Sequence, residues 1–397
     1  MKTVMSNKLT KVMCVSLILL GLSPSVFAYP PDNAAVLYYS TFIHLENNLS
    51  NETSKMLSDL ARGETKPNDK SREILKKNRF AIDTIVTAAD LSECDWGIDY
   101  SRGFDTMIPG LSTAKKTAYL LIADARILDE QGDYKLAFQR CLTAQKMGRH
   151  IADKTIISNL VGIAIDAMAY KCTQDILSHT SSNPKTLNWL KNELMKIGSI
   201  PFSLKPSIEA EGQVIRMYMH IERKEEKIAT IREICGDDMD DTTKSALDQF
   251  RNADEEYFAK ARAYNEKIFS DIIAAMDMPY PQAYAKITKL CERPAQDAKK
   301  IPHATLTAVL APALTKVYSL DIRRRTHANA MLTAVDIYII NAKTGKLPDA
   351  IPASLPKDMF SGKDFEYEKT ADGFILRCQG RDLLKDEVHE YEFKVAK

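Results

Sequence analysis

The chain has 397 residues, 45% of them hydrophobic, which is enough for one large or two modest domains with real cores. Its 54 basic and 53 acidic residues give a formal net charge of +1, so no overall positive charge marks it as a nucleic-acid binder. The cysteines form no CxxC pair and no cluster, so the sequence predicts neither a zinc site nor a particular disulfide.

The first 28 residues have the organisation of a secretory signal peptide. Lysines precede an apolar run at 12–22, and Val26 and Ala28 occupy the −3 and −1 positions of a cleavage site after Ala28. A retained anchor is the alternative, but the run is short for a bilayer span. No later segment reaches about 18 uninterrupted apolar residues. We therefore expect a periplasmic or extracellular mature protein without a stable membrane span.

A helical hairpin is predicted in the first half of the chain. Apolar residues recur at steps of three and four over 113–129, which predicts one continuous stripe on a helix. Gly132 suits a left-handed helix end, and Asp133 can cap the next helix. A second stripe follows over 134–145, so two antiparallel helices joined by a tight turn are expected. A third helix should follow closely.

This hairpin resembles one tetratricopeptide unit. The residues that carry the resemblance are Leu121, Ala125, Leu128, Gln131, Gly132, Asp133, Tyr134, Ala137, Cys141 and Ala144. The resemblance covers one unit of about 34 residues and implies an array of stacked hairpins. An ordinary helical hairpin with a Gly-Asp turn is the alternative, and it predicts nearly the same packing.

The 94–104 loop has the most unusual local composition of the chain. It combines two glycines, two acids, an arginine and three aromatic residues between helices. Loops that are both aromatic and charged often bind a partner. The candidate binding residues are Trp96, Asp99, Tyr100 and Arg102. Alternatively, Trp96 and Phe104 fill a gap between helix pairs while Asp99 and Arg102 tie the loop down.

The middle of the chain is predicted to hold long helices. Residues 207–234 and 241–276 are highly charged, and opposite charges a few positions apart indicate solvated helix faces. A long apolar helix is expected over 306–340, with a kink at Pro312. Prolines near residue 203 and Gly345 suggest boundaries. The predicted segments are 29–203 (helical hairpins), 204–345 (charged helices and a buried helix) and 346–397 (a small sheet).

Strand patterns replace helical ones after Gly345. Residues 365–368 alternate in polarity, 371–373 form a turn, and 374–378 return as a second strand. Residues 391–395 are a third strand candidate. The predicted fold class is therefore mainly α, with antiparallel helical hairpins and a small C-terminal antiparallel β meander.

The C-terminal segment resembles the globular tail of type II secretion pseudopilins, in which a helix precedes GxxP, DPFSG and a hairpin ending in SxGxD. The matching segments are 333–338, 344–348, 355–363, 365–367, 372–374 and 380–382. Met359 and Gln379 depart from that pattern and the pilin helix is absent, so pilus assembly is not implied. Such tails often bind calcium. Asp358, Asp364 and Asp382 are the corresponding candidates, and tight turns are the alternative explanation for them.

The order of the parts is also similar to that of a group of uncharacterised exported bacterial proteins. The segment Gly148-Arg149-His150 and the apolar segment 160–165 carry this resemblance. It spans most of the mature chain and implies no activity.

No catalytic or cofactor motif is present. HExxH, GxSxG, phosphate-loop and dinucleotide patterns are absent, and His150, His179, His303 and His327 have no second histidine or cysteine at three or four residues. We predict a non-catalytic envelope protein that binds a protein or peptide partner through its helices, without a cofactor. The alternative is an exported enzyme of hydrolase type with its site between helices.

Overall fold

The computed structural model describes residues 32–108, 110–180, 183–220, 222, 224–235, 241–311, 313–352 and 354–395. The predicted signal peptide, its cleavage site after Ala28 and the predicted kink at Pro312 lie outside the described residues. The described chain is mainly helical and ends in a three-stranded antiparallel sheet, which confirms the predicted fold class.

The first eight helices are α1 (Ala34–Asn48), α2 (Asn51–Ala61), α3 (Asp69–Lys77), α4 (Arg79–Ala89), α5 (Leu111–Glu130), α6 (Tyr134–Ile151), α7 (Ile156–Thr180) and α8 (Pro184–Ser199). They are followed by α9 (Lys205–Met217), α10 (Lys224–Cys235), α11 (Asp241–Asn252), α12 (Glu255–Ala275), α13 (Tyr280–Asp297), α14 (Thr305–Leu310) and α15 (Leu314–Thr344). Short 3-10 helices span Tyr100–Asp105 and Pro302–Ala304. The strands are β1 (Glu366–Thr370), β2 (Gly373–Arg377) and β3 (Glu390–Lys394).

The predicted central hairpin is present as α5 and α6. Gly132 adopts a left-handed φ of 81°, and the N–H of Asp133 donates to the Leu128 carbonyl at 2.9 Å, which closes the end of α5. The side chain of Asp133 then accepts the Leu136 N–H at 3.3 Å and begins α6. These contacts confirm the Gly-Asp turn between two antiparallel helices.

The two long charged helices that the sequence predicts are each divided in the structure. Residues 207–234 contain most of α9 and most of α10 as separate helices, and residues 241–276 contain α11 and α12. Asp254 explains the second division: its side chain accepts the Tyr257 N–H at 2.8 Å and so caps a new helix. The helix predicted over 306–340 is likewise divided into α14 and α15.

The sheet packs against α15 through one face. In the order β1-β2-β3, Phe374 of β2 lies opposite Phe393 of β3, and their rings stack at 5.2 Å. Tyr338 of α15 meets the ring of Phe374 edge-on at 5.4 Å and donates its hydroxyl to the Lys394 carbonyl at 2.6 Å. The meander is therefore attached to the helical body by aromatic packing and a backbone hydrogen bond.

The three predicted segments share one hydrophobic core. Helix α15 packs against α7, α8 and α13, and the sheet packs against α15. Lys191 of α8 and Asp336 of α15 form an ion pair at 2.6 Å across this packing. Within the described residues one helix, α7, has the length and apolar composition to span a membrane. Of its most apolar stretch, 61% is buried inside the fold, as in the core helix of a globular protein.

Candidate functional site

The 94–104 loop is held tightly at its start. Asn33 accepts the Asp95 N–H at 2.9 Å and donates to the Asp95 carbonyl at 2.8 Å. The indole N–H of Trp96 donates to the His150 carbonyl at 2.6 Å, and its ring stacks on that of Tyr38 at 5.6 Å. Trp96 is only 8% exposed. The first part of the loop is therefore anchored to α1 and to the end of α6.

The second part of the loop forms the 3-10 helix Tyr100–Asp105. The carboxylate of Asp99 accepts the N–H of Ser101 at 3.0 Å and its hydroxyl at 2.6 Å, and these hydrogen bonds lower the pKa of Asp99. The hydroxyl of Tyr100 donates to the carboxylate of Asp153, just before α7. The ammonium of Lys154 lies 5.3 Å from the centre of the Tyr100 ring. Tyr100 is thereby fixed against the start of α7.

The start of α7 is in turn joined to α9. Ser207, in the first turn of α9, donates to the Asp153 carbonyl at 3.0 Å. The side-chain amide of Asn159 donates to the Ser207 hydroxyl at 2.5 Å and to the Asp153 carbonyl at 2.7 Å. Because Ser207 and Asn159 are both buried, these bonds are protected from water. The 3-10 helix, α7 and α9 therefore hold fixed positions relative to one another.

A groove of about 560 Å³ lies between these three elements, and we call it the Tyr100 groove. Its lining is mostly apolar, and two of its large hydrophobic side chains are open to solvent: Ile157 is 56% exposed and Met217 is 40% exposed. The lining residues are Tyr100, Gly103, Phe104, Thr106, Ile108, Lys154, Thr155, Ile156, Ile157, Leu160, Ala210, Glu211, Gln213, Val214 and Met217. Exposed apolar surface gathered in a concave site is typical of binding sites.

Glu211 is a partly buried carboxyl group in the groove lining. Burial raises the pKa of this carboxyl above its ordinary value. Within the described part of the chain, Glu211 has no ion pair and no side-chain hydrogen bond. A partly buried carboxylate without a partner is costly, and such groups concentrate at functional sites. A bound group that donates a hydrogen bond or carries positive charge would remove this cost.

The four predicted binding residues occupy different environments, and the structure brings only Tyr100 to the groove. Trp96 is buried and fills a gap between helices, as the alternative prediction states. Asp99 caps the 3-10 helix. Arg102 is exposed and lies outside the groove lining, and its positive charge contributes to the lowered pKa of Asp99.

The sequence prediction missed Glu211 and the exposed pair Ile157 and Met217. Glu211 stands in a segment of mixed charge, where nothing in the sequence distinguishes it from solvated acids. The apolar positions of α9 at Val214 and Met217 are three apart, which predicts a helix face but does not reveal that the face is open.

The calcium candidates are not brought together by the described structure. Asp358 is buried and accepts the N–H groups of Phe360 at 2.8 Å and Gly380 at 2.9 Å, so it stabilises a turn. Asp364 is exposed. Asp382 accepts hydrogen bonds from Arg323.

Asp382 instead lies with Glu387 and His389, whose oxygen and nitrogen atoms come within 4.8 Å of one another. The Nε2 atom of His389 is 3.0 Å from the Asp382 carboxylate. The guanidinium of Arg323 already pairs with the carboxylate of Asp382 at 2.5 Å. We therefore interpret this group as an ion-paired contact between α15 and the C-terminal segment.

Cys94 and His150 are the nearest cysteine and histidine of the loop and its anchor, and their protonation states can be compared with those of a nucleophilic pair. Burial raises the pKa of the Cys94 thiol to about 12, so it stays protonated at neutral pH. Burial also lowers the pKa of His150 to about 4, and its Nδ1 atom is 3.0 Å from the Tyr38 hydroxyl. Cys94 and His150 therefore lack the ionisation that a catalytic cysteine–histidine pair needs.

No known protein family, curated protein or solved structure matches this chain. Its function is therefore inferred from the groove itself.

Proposed function

We propose that this protein is an exported, non-catalytic scaffold of the cell envelope that binds a protein partner through the Tyr100 groove. The observation that carries the proposal is the partly buried Glu211, which has no partner among the described residues, in a mostly apolar and open groove. Export is supported by the signal-peptide pattern at the N-terminus.

The chemistry of the groove specifies the partner segment. Ile157 and Met217 offer apolar surface to aliphatic or aromatic side chains of the partner. Glu211 favours a lysine or arginine in the same segment, because an ion pair there offsets the cost of burying the carboxylate. The groove volume of about 560 Å³ accommodates a few side chains rather than a whole domain. The partner segment is therefore a short apolar peptide with a basic residue.

Rigidity supports the same proposal. The hydrogen bonds of Tyr100 to Asp153 and of Ser207 to the Asp153 carbonyl fix both walls before a partner arrives. A site whose shape already exists loses less conformational entropy on binding.

A library of random peptides displayed on phage tests the proposal. Wild-type protein should enrich peptides that combine apolar residues with a lysine or arginine. Those peptides should fail to bind the double variant Ile157→Lys/Met217→Lys, in which charge is placed on the groove surface. Glu211→Gln should weaken them about tenfold by removing the ion pair. Ile43→Lys is the matched control, because Ile43 is 60% exposed on α1 and does not line the groove.

Enriched peptides that bind the double variant as tightly as the wild type would place their site elsewhere and contradict the proposal. Failure to enrich any peptide would also contradict it. Circular dichroism of each variant checks that the helical fold is retained.

A further inference from the structure

A second cavity lies where the helical body meets the C-terminal meander. It consists of two adjoining hollows of about 770 and 450 Å³ that share Phe202, Arg325 and Met359, and we call it the Arg325 basin. It is separate from the Tyr100 groove, with which it shares no lining residue. A cavity of this size is in the range that binds small molecules.

Two arginines deep in the basin are already neutralised. Arg149 pairs with Asp166 at 2.5 Å, and Arg324 pairs with Asp321 at 2.6 Å. Both guanidinium groups lie over the ring of Phe202, with centres 5.4 Å and 4.0 Å from the ring centre. These pairs are buried, so they build a rigid wall and leave little charge for a ligand.

Two further cations at the basin, Arg325 and Lys357, have no such partner in the described part of the chain, because the acidic side chains nearby are already engaged. Lys205 is paired with Asp277 at 2.5 Å, and the carboxylate of Asp358 accepts backbone N–H groups of its own turn. Among the described residues, no carboxylate lies within ion-pair distance of Arg325 or Lys357, which both line the larger hollow and are exposed. The exposed charges without an ion-pair partner at the mouth of the basin are therefore positive, whereas Asp358 is buried.

The floor of the larger hollow is apolar and adaptable. It includes Met276, Met278 and Met359 and the rings of Tyr280 and Tyr318, which stack at 6.0 Å. Methionine side chains are flexible and polarizable, so they fit ligand bodies of varied shape. Positive charge above such a floor matches a molecule with an anionic head and an apolar body.

We propose that the Arg325 basin binds small organic anions. A carboxylate, phosphate or sulfonate group pairs with Arg325 and Lys357, and the apolar body of the ligand covers the methionine floor. Guanidinium groups suit such oxyanions because their N–H groups form paired hydrogen bonds with two oxygens. This site does not depend on the proposed function of the Tyr100 groove.

Two fluorescent probes of similar body and different charge test the proposal. The anionic probe is 8-anilinonaphthalene-1-sulfonate, and the neutral probe is N-phenyl-1-naphthylamine. Wild-type protein should bind the anion, and Arg325→Gln/Lys357→Gln should weaken that binding about tenfold or more. Binding of the neutral probe should change little. The control is Lys66→Gln/Lys185→Gln, which removes equal charge at exposed lysines outside the basin and should leave both probes unaffected.

Competition identifies the head group. Inorganic phosphate or acetate should displace the anionic probe from the wild type, and the stronger competitor indicates a phosphate or a carboxylate ligand. The proposal is overturned if the basin variant binds the anion as tightly as the lysine control does. It is also overturned if the neutral probe loses affinity to the same extent, because charge would then not be the cause.

Discussion

Gly148 of α6 and Gly162 of α7 face each other where the two helices meet. A Cβ atom on Gly162 would lie 2.7 Å from the Gly148 carbonyl oxygen, closer than real side-chain contacts allow. Arg149, the residue after Gly148, pairs with Asp166 of α7. The next residue is His150, whose carbonyl accepts a hydrogen bond from the indole N–H of Trp96. Close backbone approach at this point thus sets the position of the loop that forms the Tyr100 groove.

Gly162→Ala should destabilise the protein by about 1–3 kcal/mol, because the added methyl group must push α6 and α7 apart. Urea unfolding followed by circular dichroism measures the effect. Gly198→Ala on α8 is the matched control: its added methyl group meets nothing within 4 Å, and alanine is the better helix former. Equal stability of the two variants would show that α6 and α7 do not depend on this close contact.

The two ends of the 94–104 loop should respond differently to truncation. Trp96→Ala removes a buried ring and a hydrogen bond to the His150 carbonyl, so we expect a loss of about 3–5 kcal/mol. Arg102→Ala changes an exposed side chain and should stay within about 0.5 kcal/mol of the wild type. Thermal unfolding of both variants checks this. A large loss from Arg102→Ala would mean that the arginine holds the loop after all.

His327 should make the stability depend on pH. Its ring stacks on Tyr391 at 4.9 Å, and burial lowers the pKa of His327 from 6.5 to about 4. Below pH 6.5 the unfolded chain takes up a proton that the folded chain does not, so the free energy of unfolding falls as pH drops from about 6.5 to about 4.

The variant His327→Phe keeps a stacking ring but cannot titrate. Between pH 7 and pH 5, its stability should therefore fall less steeply than that of the wild type. Urea midpoints at several pH values measure both slopes. Identical slopes would mean that His327 is protonated equally in the folded and unfolded states.

Export should leave a mature chain that begins at Tyr29, because the apolar run at 12–22 is followed by small residues before Ala28. The intact mass of protein recovered from the cell envelope measures this directly. Ala28→Arg should block cleavage and leave a heavier precursor, since a large charged residue does not fit the −1 position. Recovery of the full-length wild-type chain from the cytoplasm would refute the prediction.

The sequence was sufficient for the parts of the fold that depend on local signals. The turn at Gly132 and Asp133 and the strand alternation both follow from periodicity and caps. It predicted two continuous charged helices over 207–234 and 241–276 where the structure has four. An N-cap such as Asp254 in a charged stretch resembles any solvated acid.

The candidate site was only partly predictable for a different reason. Tyr100 stands in a loop of conspicuous composition, but Glu211 and Ile157 come from helices α9 and α7, distant in sequence. These side chains matter because no other part of the protein covers them, and their exposure is decided by how the helices pack. Conversely, tryptophan is a residue type common in binding sites, but Trp96 is buried inside the protein.

Site-specific photo-crosslinking in living cells tests the central claim most directly. A benzophenone amino acid is placed at Ile157 in the Tyr100 groove and, as a control, at Ile43 on α1, which is similarly exposed. We predict that illumination yields a discrete crosslinked protein from position 157, none from position 43, and a clearly lower yield of that product when Glu211→Gln is added. Equal crosslinking from both positions, or none from position 157, would contradict a partner-binding groove.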